Sequence, residues 1–240
     1  MDDLLVVVGH GTGSTQGDAP LHDLVLALSE LGLFEEVRAA LLNGRPSLAD
    51  AVSGFANGAV HLLPFLMSGG VNFQRRLADA MTNVTWQQRP LLYQPLGFNP
   101  AMAALLAGFG KSTAIDLSWD VAACHLLLIG HGTLRDPTSA QAARLHQQRI
   151  AAQNIFARVD VAFLDQPPRL DNVLADHINS RAPLLGIGLF AGAGRHGGQD
   201  MTTAFAQVPR RAHYCGAIGA HPELATLAQI HLKQVPLPVG

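Results

Sequence analysis

The chain has 240 residues, of which 48% are hydrophobic and only 14% charged, with a formal net charge of −2. That balance describes a core-rich globular protein of one or two domains; it excludes a disordered chain and any broad electrostatic attraction to nucleic acid. The only cysteines, Cys124 and Cys215, form no C-x-x-C pair, which excludes a disulfide framework and a cysteine-built zinc or iron–sulfur site within one chain.

The acidic start Met1-Asp2-Asp3 opens straight into an apolar run, unlike a secretion signal, and no stretch reaches 18 uninterrupted apolar residues. The expectation is a cytoplasmic protein with neither membrane nor nucleic acid among its partners. Apolar runs and helix-period segments then alternate along the chain. Strands are expected over 4–9, 36–42, 59–66 and 90–96. Between them lie helices from Asp18-Ala19-Pro20 to about 33, from Pro46-Ser47-Leu48 to about 56, and from Phe73 to Thr82, the last after the small-residue loop Met67-Ser68-Gly69-Gly70. A further helix starts near Pro100 and ends by Gly108, and the less regular 110–122 reads as a connection. The series resumes with strands over 126–130, 159–164, 184–190 and 213–218. Helices follow from Pro137 to about 152, from Pro168 to about 180, after the glycine loop 191–198 to about 207, and from Pro222.

The two series are in register. Gly9-His10-Gly11-Thr12 matches Gly130-His131-Gly132-Thr133 at an offset of 121. Pro46-Ser47-Leu48 matches Pro168-Arg169-Leu170, and Gly97-Phe98-Asn99-Pro100 matches Gly219-Ala220-His221-Pro222, both at 122. Each match falls at the same place in the β-α order, which marks a tandem repeat. The fold class is therefore α/β, with two tandem domains, each a four-stranded parallel sheet flanked by helices and joined by right-handed crossovers. The first repeat spans residues 1–110, the connection 111–122 and the second repeat 123–240. The halves are expected to pack as a pseudo-two-fold pair in a monomer, the intramolecular counterpart of a homodimer, with a true homodimer as the alternative.

Two nucleotide motifs and a serine-hydrolase elbow fail on inspection. A dinucleotide fingerprint after β-strand 4–9 needs glycine where Ser14 stands, and a P-loop ending at Gly110-Lys111-Ser112 needs glycine where Leu105 stands. G-x-S-x-G is absent. No ATP and no nucleotide cofactor is expected.

What remains lies where open parallel sheets bind ligands, at the carboxyl ends of the strands. In the second half the first strand delivers His131 and the second delivers Asp165. The third leads into Gly192-Ala193-Gly194-Arg195-His196, with Asp200 four residues on. Two imidazoles and a carboxylate from three strand ends can converge on one ion. A neutral imidazole can hold a metal or accept a proton, and such a ligand set suits cobalt, nickel, iron or zinc better than magnesium. His221, before a proline at a helix start, reads as a cap, and His146 and His177, on helices, read as solvated. The first half has His10, but the counterpart of Asp165 falls near Leu42 or Asn43 and that of His196 within 71–73, with no histidine from 62 to 124. The second half is thus expected to hold the working site, with His10 a vestige.

Gly130-His131-Gly132-Thr133, Phe163-Leu164-Asp165, Leu189-Phe190-Ala191-Gly192 and His196 with Asp200 resemble the class II tetrapyrrole chelatases, and most of all the CbiX-type sirohydrochlorin cobaltochelatases and ferrochelatases. The resemblance covers nearly the whole chain as two copies. It implies ATP-independent insertion of Co2+, Fe2+ or Ni2+ into sirohydrochlorin or a related tetrapyrrole, in cobalamin or siroheme biosynthesis. His131 and His196 map to the family's two histidines and Asp165 to its acid, as catalytic and metal-binding residues. This chain departs from the pattern in having Asp for Glu, a longer loop, and Met201-Thr202 for Ile-Pro. A substrate rich in carboxylates calls for positive charge at the rim, for which Arg135 and Arg195 are candidates; Gly192 and Gly194 are weaker candidates for substrate contact. Rival readings are a non-catalytic tetrapyrrole- or metal-binding carrier and a metal-dependent hydrolase.

Overall fold

The computed structural model describes residues 2–68, 70–178, 180–192, 199–208 and 211–237. The first half runs β1 (Leu4–Gly9), α1 (Thr15–Glu30), β2 (Glu36–Leu41), α2 (Leu48–Val52), β3 (Val60–Pro64), α3 (Val71–Thr82), β4 (Leu91–Leu92) and α4 (Met102–Asp116). The second runs β5 (His125–Gly130), α5 (Gln141–Ala151), β6 (Arg158–Phe163), α6 (Leu170–His177), β7 (Leu184–Gly188), α7 (Gln199–Ala206), β8 (Ala212–Ala217) and α8 (Leu224–His231). The sheets have the same order, β2-β1-β3-β4 and β6-β5-β7-β8. Every pairing between these strands is parallel, and the register repeats: Leu4 lies opposite Glu36 and Val60, as His125 lies opposite Arg158 and Leu184. The expected α/β architecture of two tandem four-stranded sheets is what the chain adopts.

The apolar runs explain why. β1 and β5 are buried at every position, as central strands covered on both faces must be. Alternate residues of each strand enter different cores. Leu5 and Val7 share one continuous cluster with Leu126 and Leu128, filled in by Leu24 of α1, Leu106 of α4, Ile150 of α5 and Leu227 of α8. Leu4, Val6 and Val8 turn instead to α2 and α3, and Leu127 and Ile129 to α6 and α7. Four helices therefore lie between the two sheets. Among them α1 packs on α8 and α5 on α4, the exchange a pseudo-two-fold axis requires.

Several local expectations need correction. The helix expected to end by Gly108 continues to Asp116, into the stretch read as a connection. Gly110 does not break it; a Cβ there would come 3.0 Å from Leu126 Cδ1 and 3.2 Å from Phe156 Cζ, so the bare position admits the second half. The start of α1 lies earlier than Asp18, at a Ser14 cap whose Oγ accepts from the Gly17 N–H at 3.1 Å, and Pro20 falls inside the helix. His146 and His177 are not solvated: their exposures are 0% and 5%, and they donate to the carbonyls of Gly97 (2.7 Å) and Ala182 (2.9 Å).

Candidate functional site

β5 ends at Gly130, and His131 leaves the sheet at its carboxyl edge. β6 ends beside it. The Asp165 N–H donates to the His131 carbonyl at 2.9 Å, and the Leu164 N–H is shared between His131 (3.0 Å) and Gly130 (3.1 Å). Backbone hydrogen bonds thus bring His131 and Asp165 together, and both are exposed. The His131 ring stands edge-on to Phe190, just past the end of β7, with centroids 4.9 Å apart. The exit of the third strand therefore borders the first two. Gly194, Arg195 and His196 lie outside the described residues, as does most of their loop. Among the described residues no three His, Cys, Asp or Glu side chains converge on a point that could hold a metal ion.

The turn that carries His131 is held by its neighbours. Gly132 has φ +67°, a left-handed conformation that side chains disfavour, and a Cβ there would run into Gln166 and come 2.8 Å from Phe163 Cβ. The Thr133 N–H donates to Gln166 Oε1 at 2.7 Å, and Ser139 Oγ to the same oxygen at 3.3 Å. The segment that supplies the acid also grips the histidine turn. Arg135 lies exposed on this turn, its N–H donating to Thr133 Oγ1 at 3.2 Å. Gly192 packs against the first half, where a Cβ would come 2.5 Å from the Gly17 carbonyl oxygen. Its bareness serves the contact between halves. The expected capping role of His221 is not seen: its Nδ1 accepts from the Glu223 N–H at 3.2 Å ahead of α8, whose own cap residue, Glu223, makes no side-chain cap hydrogen bond.

The first half repeats the backbone and changes the chemistry. The Asn43 N–H donates to the His10 carbonyl at 2.9 Å, so Asn43 stands where Asp165 stands. Gly11 has φ +83°, and the Thr12 N–H is held by Asp18 Oδ1 at 2.8 Å. Beyond this, the Asn43 amide nitrogen lies 3.2 Å from His10 Nε2, and Arg76 of α3 donates from Nη1 to Asn43 Oδ1. A guanidinium only donates, so the amide oxygen must face Arg76 and the amide N–H must face His10. His10 Nε2 is therefore the acceptor and its proton sits on Nδ1. Partial enclosure and the Arg76 charge hold the His10 pKa below the ordinary histidine value, against an opposing pull from Asp18. Sequence reasoning located Asn43 but sought only metal ligands there, and it missed Arg76.

Comparison with known proteins agrees with this architecture. A family model described as CbiX matches residues 4–108 and again residues 125–235. A probable sirohydrochlorin cobaltochelatase of Halobacterium salinarum is 24% identical over 98% of this chain and 92% of its own length. SirB from Bacillus subtilis with Fe3+ superposes with a TM-score of 0.83 at 13% identity, covering 97% of this chain and 95% of that one. CbiX, described as the terminal enzyme for biosynthesis of siroheme in denitrifying bacteria, gives 0.74 at 22% identity over 95% and 97%. A multi-domain protein of Deinococcus radiodurans with structural similarity to chelatases gives 0.76 at 22% identity over 96% of this chain, which spans only 55% of that one.

Proposed function

Because the chain belongs to the CbiX family, whose model it matches in both halves, we propose that it inserts a divalent metal into sirohydrochlorin or a close relative without ATP. The observation that carries this reading is the pairing of His131 with Asp165 at adjacent strand ends, through the 2.9 Å bond from the Asp165 N–H to the His131 carbonyl. In this reading residues 123–240 bear the working site and residues 1–110 a degenerate one, with 111–122 joining them. His196, from the loop after β7, supplies the second imidazole.

The substrates are the metal, Co2+, Fe2+ or Ni2+, and the macrocycle. Imidazoles that coordinate the metal leave positions open for the pyrrole nitrogens. An imidazole not engaged with the metal accepts a pyrrole proton as the metal enters. Asp165 orients an imidazole or joins the coordination shell. Arg135 and Arg195 meet peripheral carboxylates of the macrocycle.

The test is to mix the purified protein with sirohydrochlorin and each metal in turn and follow the absorption spectrum. Metallation faster than the protein-free rate is expected. His131→Ala and His196→Ala should reduce it to that background, whereas His10→Ala should cost much less. A spectral shift on binding with no acceleration would replace the enzyme with a carrier.

A further inference from the structure

We propose that the His10–Asn43–Arg76 cluster at the strand ends of the first half is an anion subsite, which holds a peripheral carboxylate of the macrocycle and takes no metal. The inference rests on the reading above in one respect, that a polycarboxylate tetrapyrrole is the substrate. Placement comes from the repeat. His10 and Asn43 share the backbone bond that joins His131 to Asp165, so the cluster occupies the position of the working site in the other half. The two sets of strand ends also meet: Gly192, beyond β7, lies against Gly17 in the first turn of α1.

The chemistry follows from the hydrogen bonds. Asn43 spends its oxygen on Arg76 and an amide N–H on His10. The lone pair of His10 Nε2 is thereby occupied, and what the ring still offers is the Nδ1–H. Arg76 has five N–H donors, of which the Asn43 contact uses one. Its side chain is exposed, as are His10 and Asn43. Among the described residues no carboxylate forms an ion pair with Arg76. The Asp18 carboxylate near His10 is held by the Thr12 N–H. The groups of the cluster left to meet a ligand are donors around a guanidinium cation, which is the geometry a carboxylate takes up. A dication would have to displace the Asn43 amide from His10 and sit beside the guanidinium. The second half keeps a carboxylate, Asp165, at the equivalent place and so attracts the cation that the first half repels.

The probes are an octacarboxylate porphyrin, its octamethyl ester, and Co2+ alone, each titrated into the full chain. Arg76→Gln should weaken the free acid roughly tenfold at low salt and leave the ester unaffected. Arg76→Lys should fall between, and the differences should shrink as salt rises. The Co2+ stoichiometry should be the same for His10→Ala as for the unaltered chain. The subsite is overturned if the unaltered chain does not bind the free acid, if Arg76→Gln binds it as tightly as the unaltered chain, or if His10→Ala loses a bound Co2+. Metallation of sirohydrochlorin by the unaltered chain survives the last two of these results. Arg76-dependent porphyrin binding by a chain that metallates nothing removes the chelatase reading and leaves the subsite standing.

Discussion

At Gly132 two demands fall on one residue: a left-handed φ of +67° and a backbone pressed against Phe163 and Gln166. Gly130, two positions earlier, meets only the second, with Phe163 Cδ1 3.2 Å from a would-be Cβ. Gly132→Ala should therefore cost about 1–3 kcal/mol of stability, and Gly130→Ala clearly less. Chemical denaturation of the two variants checks the order; equal losses would mean that the backbone conformation contributes nothing. Under the proposed chelatase reading, Gly132→Ala should also depress metallation, because the turn it distorts carries His131. The Gly-His-Gly-Thr signature made this turn legible in the sequence, since a glycine pair around a polar residue after four apolar ones has few other uses. The Asn43–Arg76 contact was not legible. It joins two exposed polar side chains 33 residues apart, and no periodicity records such a bond.

Among the elements, the repeat provides its own controls. α2 begins at Ser47, whose hydroxyl accepts from the Asp50 N–H at 3.1 Å while the Asp50 carboxylate accepts from the Ser47 N–H at 2.9 Å, a reciprocal cap. Its counterpart α6 begins at Arg169, which has the same extended backbone and no side-chain cap. Ser47→Ala should destabilise the fold by about 1 kcal/mol, and Arg169→Ser should stabilise it by ~0.5–1 kcal/mol. Thermal melts of the two variants should move in opposite directions. The order and type of these elements were readable because β1 and β5 hold unbroken apolar runs and helices such as α2, α4 and α5 start at a capping residue or shortly after a proline. The extent of α4 was not, because Gly108 and Gly110 look like stops. Gly110 is a close-packing position against Leu126 and Phe156, and only the folded second half shows that. β4 is shorter than its apolar stretch suggests: it covers only Leu91–Leu92 and pairs with β3 at just His61 and Leu62.

Across the whole molecule the halves are stitched by buried neutral histidines. His146 of α5 donates from Nε2 to the Gly97 carbonyl, and its Nδ1 is buried with no hydrogen-bond partner among the described residues. His231 of α8 donates to the Gln94 carbonyl at 2.8 Å, and its Nδ1 accepts from the Asn99 amide at 3.0 Å. Each is a second-half ring bound to first-half groups, which is why a helix read alone placed His146 in solvent. Protonating either Nδ1 would bury a charge facing no acceptor. Burial accordingly lowers both pKa values, with Arg149 adding to the effect at His146 and the carbonyl bonds opposing it. His61, His125, His177 and His221 are lowered by burial as well. Above the ordinary histidine value of about 6.5 these rings are neutral in both folded and unfolded chains, and they add no pH dependence. Below it the unfolded chain takes up protons that the folded one refuses, so stability falls with pH until the folded-state values are passed. Each such group costs up to about 1.4 kcal/mol per unit of pH in that window. The thermal midpoint should therefore hold between pH 8 and 7 and drop steeply from about pH 6.5 towards 5. His146→Gln keeps a donor for the Gly97 carbonyl and removes the titrating ring, so its midpoint should fall less over the same interval. Parallel curves for this variant and the unaltered chain would show that the acid sensitivity does not come from His146.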